Sequence, residues 1–330
     1  MNKKSTIAAV VYAILAAVFY AISVPCSKML LPHVPPVFMA AFLYIGAGVG
    51  VGCMYIFKCK RETPEQRLSR ADLPYTVGMV LLDIAAPILL MLGVKYGTSS
   101  DASLLGNFEI VATALIALLV FKEPVSWRLW TAIALVTTSS IILSYEGGGG
   151  FSVGSLFVLG ATVCWGLENN CTRRISDKST YQIVTIKGFG SGFGALAVAF
   201  VTAGVDFEWG YVPLVLMLGF VAYGLSVFTY VRAQNTLGAA KTSAYYSIAP
   251  FIGAFLAFVI LGEALSQRYL AALLVMIAGT VFIVCDTLIL HHTHQHTHTV
   301  THNGITRTIV HSHPHNHFGN GDSHTHWHRE

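Results

Sequence analysis

The 330-residue chain is 54% hydrophobic and 11% charged, with a formal net charge of +4. Average globular domains carry about 25% charged residues, so an ordinary soluble fold is excluded, and the charge that is present clusters between apolar runs. A bilayer core about 30 Å thick needs roughly 20 apolar residues per helix. Ten runs of that length lie near residues 6–26, 37–57, 73–94, 102–121, 126–144, 151–171, 181–203, 210–231, 242–262 and 267–290. The first follows Lys3 and Lys4 but is too long for a signal peptide, lacks a small-x-small cleavage site and has Pro25 where cleavage would fall; it is read as an uncleaved first span. Cys26, Cys53, Cys59, Cys164, Cys171 and Cys285 contain no CxxC pair. They give neither a disulfide framework nor a zinc motif and are read as small packing residues.

Lys and Arg placement sets the expected orientation. With the amino terminus inside, fourteen basic residues fall on the cytoplasmic side: Lys3, Lys4, Lys58, Lys60, Arg61, Arg67, Arg70, Lys122, Arg128, Arg173, Arg174, Lys178, Arg232 and Lys241. Lys28, Lys95 and Arg268 fall outside. The expectation is a multi-pass protein of the plasma (cytoplasmic) membrane with both termini cytoplasmic.

The second five runs repeat the first five. Gly46, Gly48, Gly50 and Gly52 correspond to Gly188, Gly190, Gly192 and Gly194, and Phe19-Tyr20-Ala21 with Cys26-Ser27-Lys28 to Cys164-Trp165-Gly166 with Cys171-Thr172-Arg173. Gly97 and Ala102-Ser103 match Gly238 and Thr242-Ser243, and Lys122-Glu123-Pro124-Val125-Ser126 matches Gly262-Glu263-Ala264-Leu265-Ser266. Every offset lies between 140 and 145 residues. A repeat of an odd number of spans inverts the second copy, the construction of many alternating-access carriers. The expected fold is therefore all-α and integral to the membrane, with ten transmembrane helices as two inverted five-helix repeats. Residues 1–145 form the first repeat, 146–150 a Gly-rich linker, 151–290 the second repeat and 291–330 a disordered cytoplasmic His-rich tail. Glu123 and Glu263 are expected to cap or pair at tight turns on opposite sides. The glycine series are read as close helix packing, and the same faces leave a homodimer open.

The Gly262-Glu263-Ala264-Leu265-Ser266 turn with Arg268, the small-residue stretch Gly238 to Tyr246, and Ala249-Pro250 together resemble the EamA family of the drug/metabolite transporter superfamily. Asn107-Phe108-Glu109 and Glu168-Asn169-Asn170 with Thr172-Arg173 resemble one branch of it. The resemblance covers roughly residues 6–290 and implies a ten-span inverted-repeat carrier of small organic solutes. The first half departs from the pattern at Lys122 and at Glu109, where the ninth span has Pro250.

Ionisable groups inside spans face a cavity or a partner, because a charge at the bilayer centre costs on the order of 3 kcal/mol. Asp83 is placed mid-span, Glu109 about 12 Å deep at 1.5 Å per residue, and Glu168 and Lys187 at similar depth on neighbouring antiparallel helices. We expect a Glu168–Lys187 ion pair. Glu109 is the candidate proton carrier or counter-charge to a cationic cargo, with Asn107 supplying a neutral amide and Asp83 a second acid. Trp165, Tyr245 and Tyr246 are candidates for an aromatic cavity, the alternative being interfacial anchoring.

Thirteen of the fourteen histidines lie in the tail: His291, His292, His294, His296, His298, His302, His311, His313, His315, His317, His324, His326 and His328. Imidazole binds Zn, Ni, Co and Cu, so the tail is expected to hold such ions with weak selectivity; no cofactor is expected for the bundle. The overall expectation is a secondary-active transporter of a small organic solute across the plasma membrane, with proton coupling as an option and the tail regulating. The alternative is a divalent transition-metal (Ni, Co or Zn) transporter whose tail loads or senses the ion. With no histidine inside a span, no Ser nucleophile motif and no His-Glu-x-x-His helix, an enzyme is not expected; nor is a nucleic-acid partner. The expected partners are the bilayer and a small-molecule substrate.

Overall fold

The computed structural model describes residues 3–58, 62–121, 126–145, 151–204, 207–237, 242, 245–264, 266–302 and 305–318. The linker 146–150, Lys122, Glu123 and the last three histidines lie outside them. Among the described residues seven helices are long and apolar enough to cross a membrane: Ile7–Leu30, Pro36–Lys58, Arg70–Tyr96, Trp127–Ser144, Thr180–Thr202, Trp209–Ala233 and Gln267–Cys285. Ala249–Leu261 is a shorter apolar helix.

The helices in chain order are α1 (Lys3–Ala21), α2 (Ser23–Leu30), α3 (Pro36–Lys58), α4 (Leu73–Tyr96), α5 (Ser99–Leu105), α6 (Phe108–Phe121), α7 (Trp127–Ser144), α8 (Val153–Arg174) and α9 (Thr180–Thr202). They continue as α10 (Val212–Gly219), a π-helical turn at Phe220–Leu225, α11 (Ser226–Leu237), α12 (Ala249–Leu261) and α13 (Gln267–Leu288). Local chemistry sets several of these boundaries. Ser69 and Asp72 form a capping box before α4, and Ser126 Oγ accepts from Leu129 N–H at the start of α7, each satisfying donors that a helix start leaves open. Gly262 ends α12 at φ +64° with its N–H on Phe258 O, a left-handed cap that costs a glycine nothing.

The apolar run at 102–121, expected as one continuous helix, is divided. Around Gly106-Asn107 the hydrogen bonds shorten to i→i−3, with Asn107 N–H on Leu104 O and Ile110 N–H on Asn107 O. The run at 242–262 is likewise interrupted by a turn at Ser247-Ile248 before α12, with Pro250 in the first turn, where its missing N–H is tolerated. Pro87 lies inside α4, so the carbonyl of residue 83 has no i+4 donor.

Packing joins the two halves element by element. α3 lies on α9, α4 on α8, α7 on α13, α1 on α11 and α5 on α12. Glycines let α3 and α9 close on one another, since a Cβ on Gly188 would stand 2.4 Å from Gly48 Cα. The core between the halves is filled by Phe38, Met39, Leu43, Leu90, Met91, Leu105 and Met276, all fully buried. Val201, Leu119, Leu274, Val259 and Phe255 are largely exposed, which is uphill in water and matches a lipid-facing surface.

Ile289–His302 (β1) and Ile305–Phe318 (β2) pair as an antiparallel hairpin, with Ile289 opposite Phe318 and His302 opposite Ile305. In β1 Thr alternates with His at period two, which suits a strand.

Candidate functional site

Lys187 of α9 is the centre of the charged cluster. Its Nζ lies 3.1 Å from Asp83 Oδ2 on α4 and 3.1 Å from Glu168 Oε1 on α8. Asp83 is fully buried and the other two nearly so. Asp83 Oδ1 accepts from Tyr44 O–H at 3.0 Å, and Glu168 accepts from Thr172 Oγ one turn on. Burying one charge alone costs several kcal/mol, whereas a hydrogen-bonded pair recovers much of it. The predicted Glu168–Lys187 pair is present, and Asp83 joins it from the other half of the chain.

Glu109 sits in the first turn of α6, directly after the interruption, where its Oε1 accepts from Asn169 Nδ2 at 2.6 Å. Consecutive residues of α8, Glu168 and Asn169, thus serve the lysine and the second acid. This is possible because Gly166 lets α8 close on α6: a Cβ there would meet Ala112 Cβ and Thr113 N at 2.9 Å. Asn107 is buried, and among the described residues neither of its amide atoms has a hydrogen-bond partner. An amide held without a partner costs on the order of 1–3 kcal/mol, so it is the group most in want of a ligand.

Aromatic rings form the wall beside these charges. The Tyr20 ring stands 5.9 Å from Tyr223, 5.9 Å from Tyr246 and 6.4 Å from Trp165, centroid to centroid, and Tyr223 is 5.2 Å from Tyr44. Tyr44 therefore belongs both to the rings and, through its hydroxyl, to Asp83. A cavity next to them is lined by Tyr20, Val24, Ser103, Thr162, Trp165 and Pro250. Ser103 and Pro250 bring the two interrupted segments to the same wall. Of the aromatic candidates, Trp165 and Tyr246 join the cluster, while Tyr245 is more than a third exposed and takes no part in it. Tyr20, Tyr44 and Tyr223 escaped the sequence reading. The available signals were the repeat, which sets Tyr20 against Trp165, and the aromatic residue beside Gly224 in the eighth run.

A second polar group lies where α4 and α12 end and α5 begins. Lys28 Nζ donates to Val94 O and Gly97 O, both at 2.6 Å. The Glu263 carboxylate accepts from Ser99 N–H at 2.7 Å and Ser100 N–H at 2.8 Å, so the expected capping role of Glu263 is present. Arg268 donates to Tyr145 O at 2.5 Å and lies 3.8 Å from Asp101.

Comparison with known proteins agrees with this architecture. The model of the EamA-like transporter family matches the chain twice, over residues 7–145 and 152–285. An uncharacterized transporter of Methanothermobacter thermautotrophicus is 27% identical over 299 residues, covering 82% of this chain and 84% of the relative. One solved crystal structure superposes with a TM-score of 0.61 at 16% identity, covering 86% of this chain and 96% of its own; at that identity the likeness is one of fold.

Proposed function

Because this chain belongs to the EamA-like transporter family, and is a multi-pass membrane transporter of small solutes, we propose that it is a secondary-active carrier of a small organic cation or amine. The observation that carries this reading is the cluster itself: Asp83 from one half meets Lys187 and Glu168 from the other, 3.1 Å apart in each case, beside an aromatic wall. Three acids, with Glu109, stand against one lysine, a balance that favours a positively charged cargo or a proton. Rings add cation–π attraction for a desolvated cation.

Alternating access by two inverted five-helix halves is supported by two features. The packing pairs are closed under exchange of the halves: α3 with α9, α5 with α12 and α7 with α13 join matching segments, and α4 with α8 mirrors α11 with α1. The interrupted segments at Gly106-Asn107 and Ser247-Ile248 occupy corresponding places, and paired discontinuous helices mark the cargo site in such carriers. On this reading the Lys28–Glu263–Arg268 group closes the outer end, both termini are cytoplasmic, and Glu109 takes up the coupling proton when cargo leaves. The divalent-metal alternative has no comparable observation in its favour: among the described residues no group of three or more His, Cys, Asp or Glu is placed to hold an ion.

The test is uptake into proteoliposomes under an imposed proton gradient, with a panel of amines, amino acids, organic anions and divalent metals. Saturable uptake of an organic cation that is competed by other amines supports the reading. Uptake confined to anions or to metal ions overturns it.

A further inference from the structure

The contact between α3 and α9 is fastened at both of its ends. Past the end of α3, the 62–68 segment lies on the residues that open α9. Ser179 N–H donates to Gln66 O at 2.6 Å, and Ser179 Oγ donates to the Glu62 carboxylate. Lys178 Nζ donates to Glu65 O at 3.2 Å, and Leu68 N–H to Gln182 Oε1 at 2.8 Å. The Gln182 amide donates in turn to the Tyr55 hydroxyl at 2.7 Å, back on α3. Past the end of α9, the 207–211 segment lies on the turn that precedes α3. Glu208 N–H donates to His33 O at 3.2 Å, His33 Nδ1 stands 2.8 Å from Glu208 Oε1, and the His33 ring stacks on Tyr211 at 3.9 Å. Phe207 packs on Phe38 and Phe42 of α3, with centroids 4.7 and 6.0 Å away. An exposed ion pair contributes little alone, so the backbone bond and the rings fix this strap. Each strap ties the segment after one helix to the residues before the other. Because α3 and α9 are corresponding helices of the repeat, the second strap is the first one inverted.

We propose that α3 and α9 form the pivot of the transport cycle, held shut at both ends by these straps, while the halves part where α5 meets α12. The pivot presupposes the alternating access proposed above and adds which seam stays closed. Gly48 and Gly188 bring the two backbones into contact with no side chain between them, a close approach that small residues permit and that a slight rocking alters little. Parting the seam would instead strip Ser179, Gln182 and Leu68 of their partners at one end, or Glu208 at the other, and each buried group left unpaired adds a cost. The α5–α12 contact is bridged differently. There the Glu263 carboxylate accepts from both Ser99 and Ser100 N–H, so the movement of one side chain releases two amides together.

The experiment locks the straps covalently and asks whether the interior still opens. In the full-length chain with its six cysteines replaced by alanine, Ser103→Cys serves as reporter, because Ser103 is 5% exposed and lines the cavity. The protein is held in lipid nanodiscs, open to solvent at both ends. The probe is 2-(trimethylammonium)ethyl methanethiosulfonate, a small thiol-reactive cation. One strap is locked by His33→Cys with Glu208→Cys, the other by Gln66→Cys with Ser179→Cys, each disulfide being verified by mass spectrometry. The bonded backbone atoms at both places suit the Cα separation of about 4.4–6.8 Å that a disulfide needs. The reporter reacts from an open state on the order of 0.1–10% populated, so locking either strap should change its rate by less than about twofold, and Glu263→Ala should raise it on the order of tenfold with the straps locked or free. A fall on the order of tenfold on locking either strap would overturn the pivot and leave the carrier reading standing. An unchanged rate in Glu263→Ala would overturn the opening between α5 and α12. A reporter that never reacts, even with Glu263→Ala, would remove alternating access itself and the pivot with it.

Discussion

At one end of the bundle, Lys28 and Glu263 aim their charges at backbone atoms: Lys28 at the carbonyls of Val94 and Gly97, Glu263 at the amides of Ser99 and Ser100. In the interior, Asp83, Lys187 and Glu168 aim theirs at one another. Backbone groups at a helix end need a partner in every conformation, and a charged side chain satisfies them with a fixed geometry. Side chains paired with each other can change partners when a cargo or proton arrives. The first arrangement suits a closure and the second a site, and the two should respond differently to substitution.

The interior should respond most strongly. Lys187→Ala leaves two carboxylates facing each other without their cation, and breaking a buried pair by removing one partner costs about 3–5 kcal/mol. Thermal unfolding of the purified protein should register it, together with loss of uptake. Adding Asp83→Asn should restore part of the stability but not the uptake. A stability change within about 0.5 kcal/mol for Lys187→Ala would mean the cluster is not a coupled unit, and the contrast would collapse.

Glu263→Ala comes next. Two amides of α5 lose their acceptor, and loss of a helix cap costs about 0.5–2 kcal/mol. Because the carboxylate joins the loop after α12 to the start of α5, the variant should also expose that end. A single cysteine placed at Ser100 in the variant should then react faster with a membrane-impermeant thiol reagent than it does in the parent. Unchanged reactivity would reduce Glu263 to a local cap.

How much of this was legible follows from what depth along a helix encodes. Glu168 and Lys187 could be paired from sequence because both lie at one depth on adjacent antiparallel helices. Asp83 could be placed at mid-span but not aimed, since hydropathy gives depth and not azimuth in a helix apolar on every side. The interruption at Gly106-Asn107 was missed for the same reason: the run around it is apolar enough to read as continuous. Its signal was a glycine beside an amide, and Pro250 at the matching place in the second half.

Glu109→Gln tests the exchangeable part of the interior with less disturbance. The glutamine keeps an oxygen to accept from Asn169, so stability should change by less than about 1 kcal/mol. What it lacks is a titrating group. Uptake measured from acid to alkaline pH should lose its pH dependence while binding of a cationic solute weakens. Retention of the parent's pH profile would remove Glu109 from coupling and leave it a structural acceptor.

Asn107→Leu should have the smallest effect on stability and is the most discriminating. Both amide atoms are buried without a partner among the described residues, so replacing them with an apolar group of similar size removes a desolvation cost rather than a bond. The protein should be as stable as the parent or slightly more so. If the amide is held open for cargo, uptake should fall and apparent affinity should weaken while thermal stability holds. If it is only tolerated in the core, uptake should persist. A destabilised Asn107→Leu variant would show that the amide has a partner in the working protein, and the cargo role would then pass to Ser103 and the aromatic wall. Stability and uptake move in opposite directions here, as expected where a polar group is kept in an apolar core for function rather than for folding.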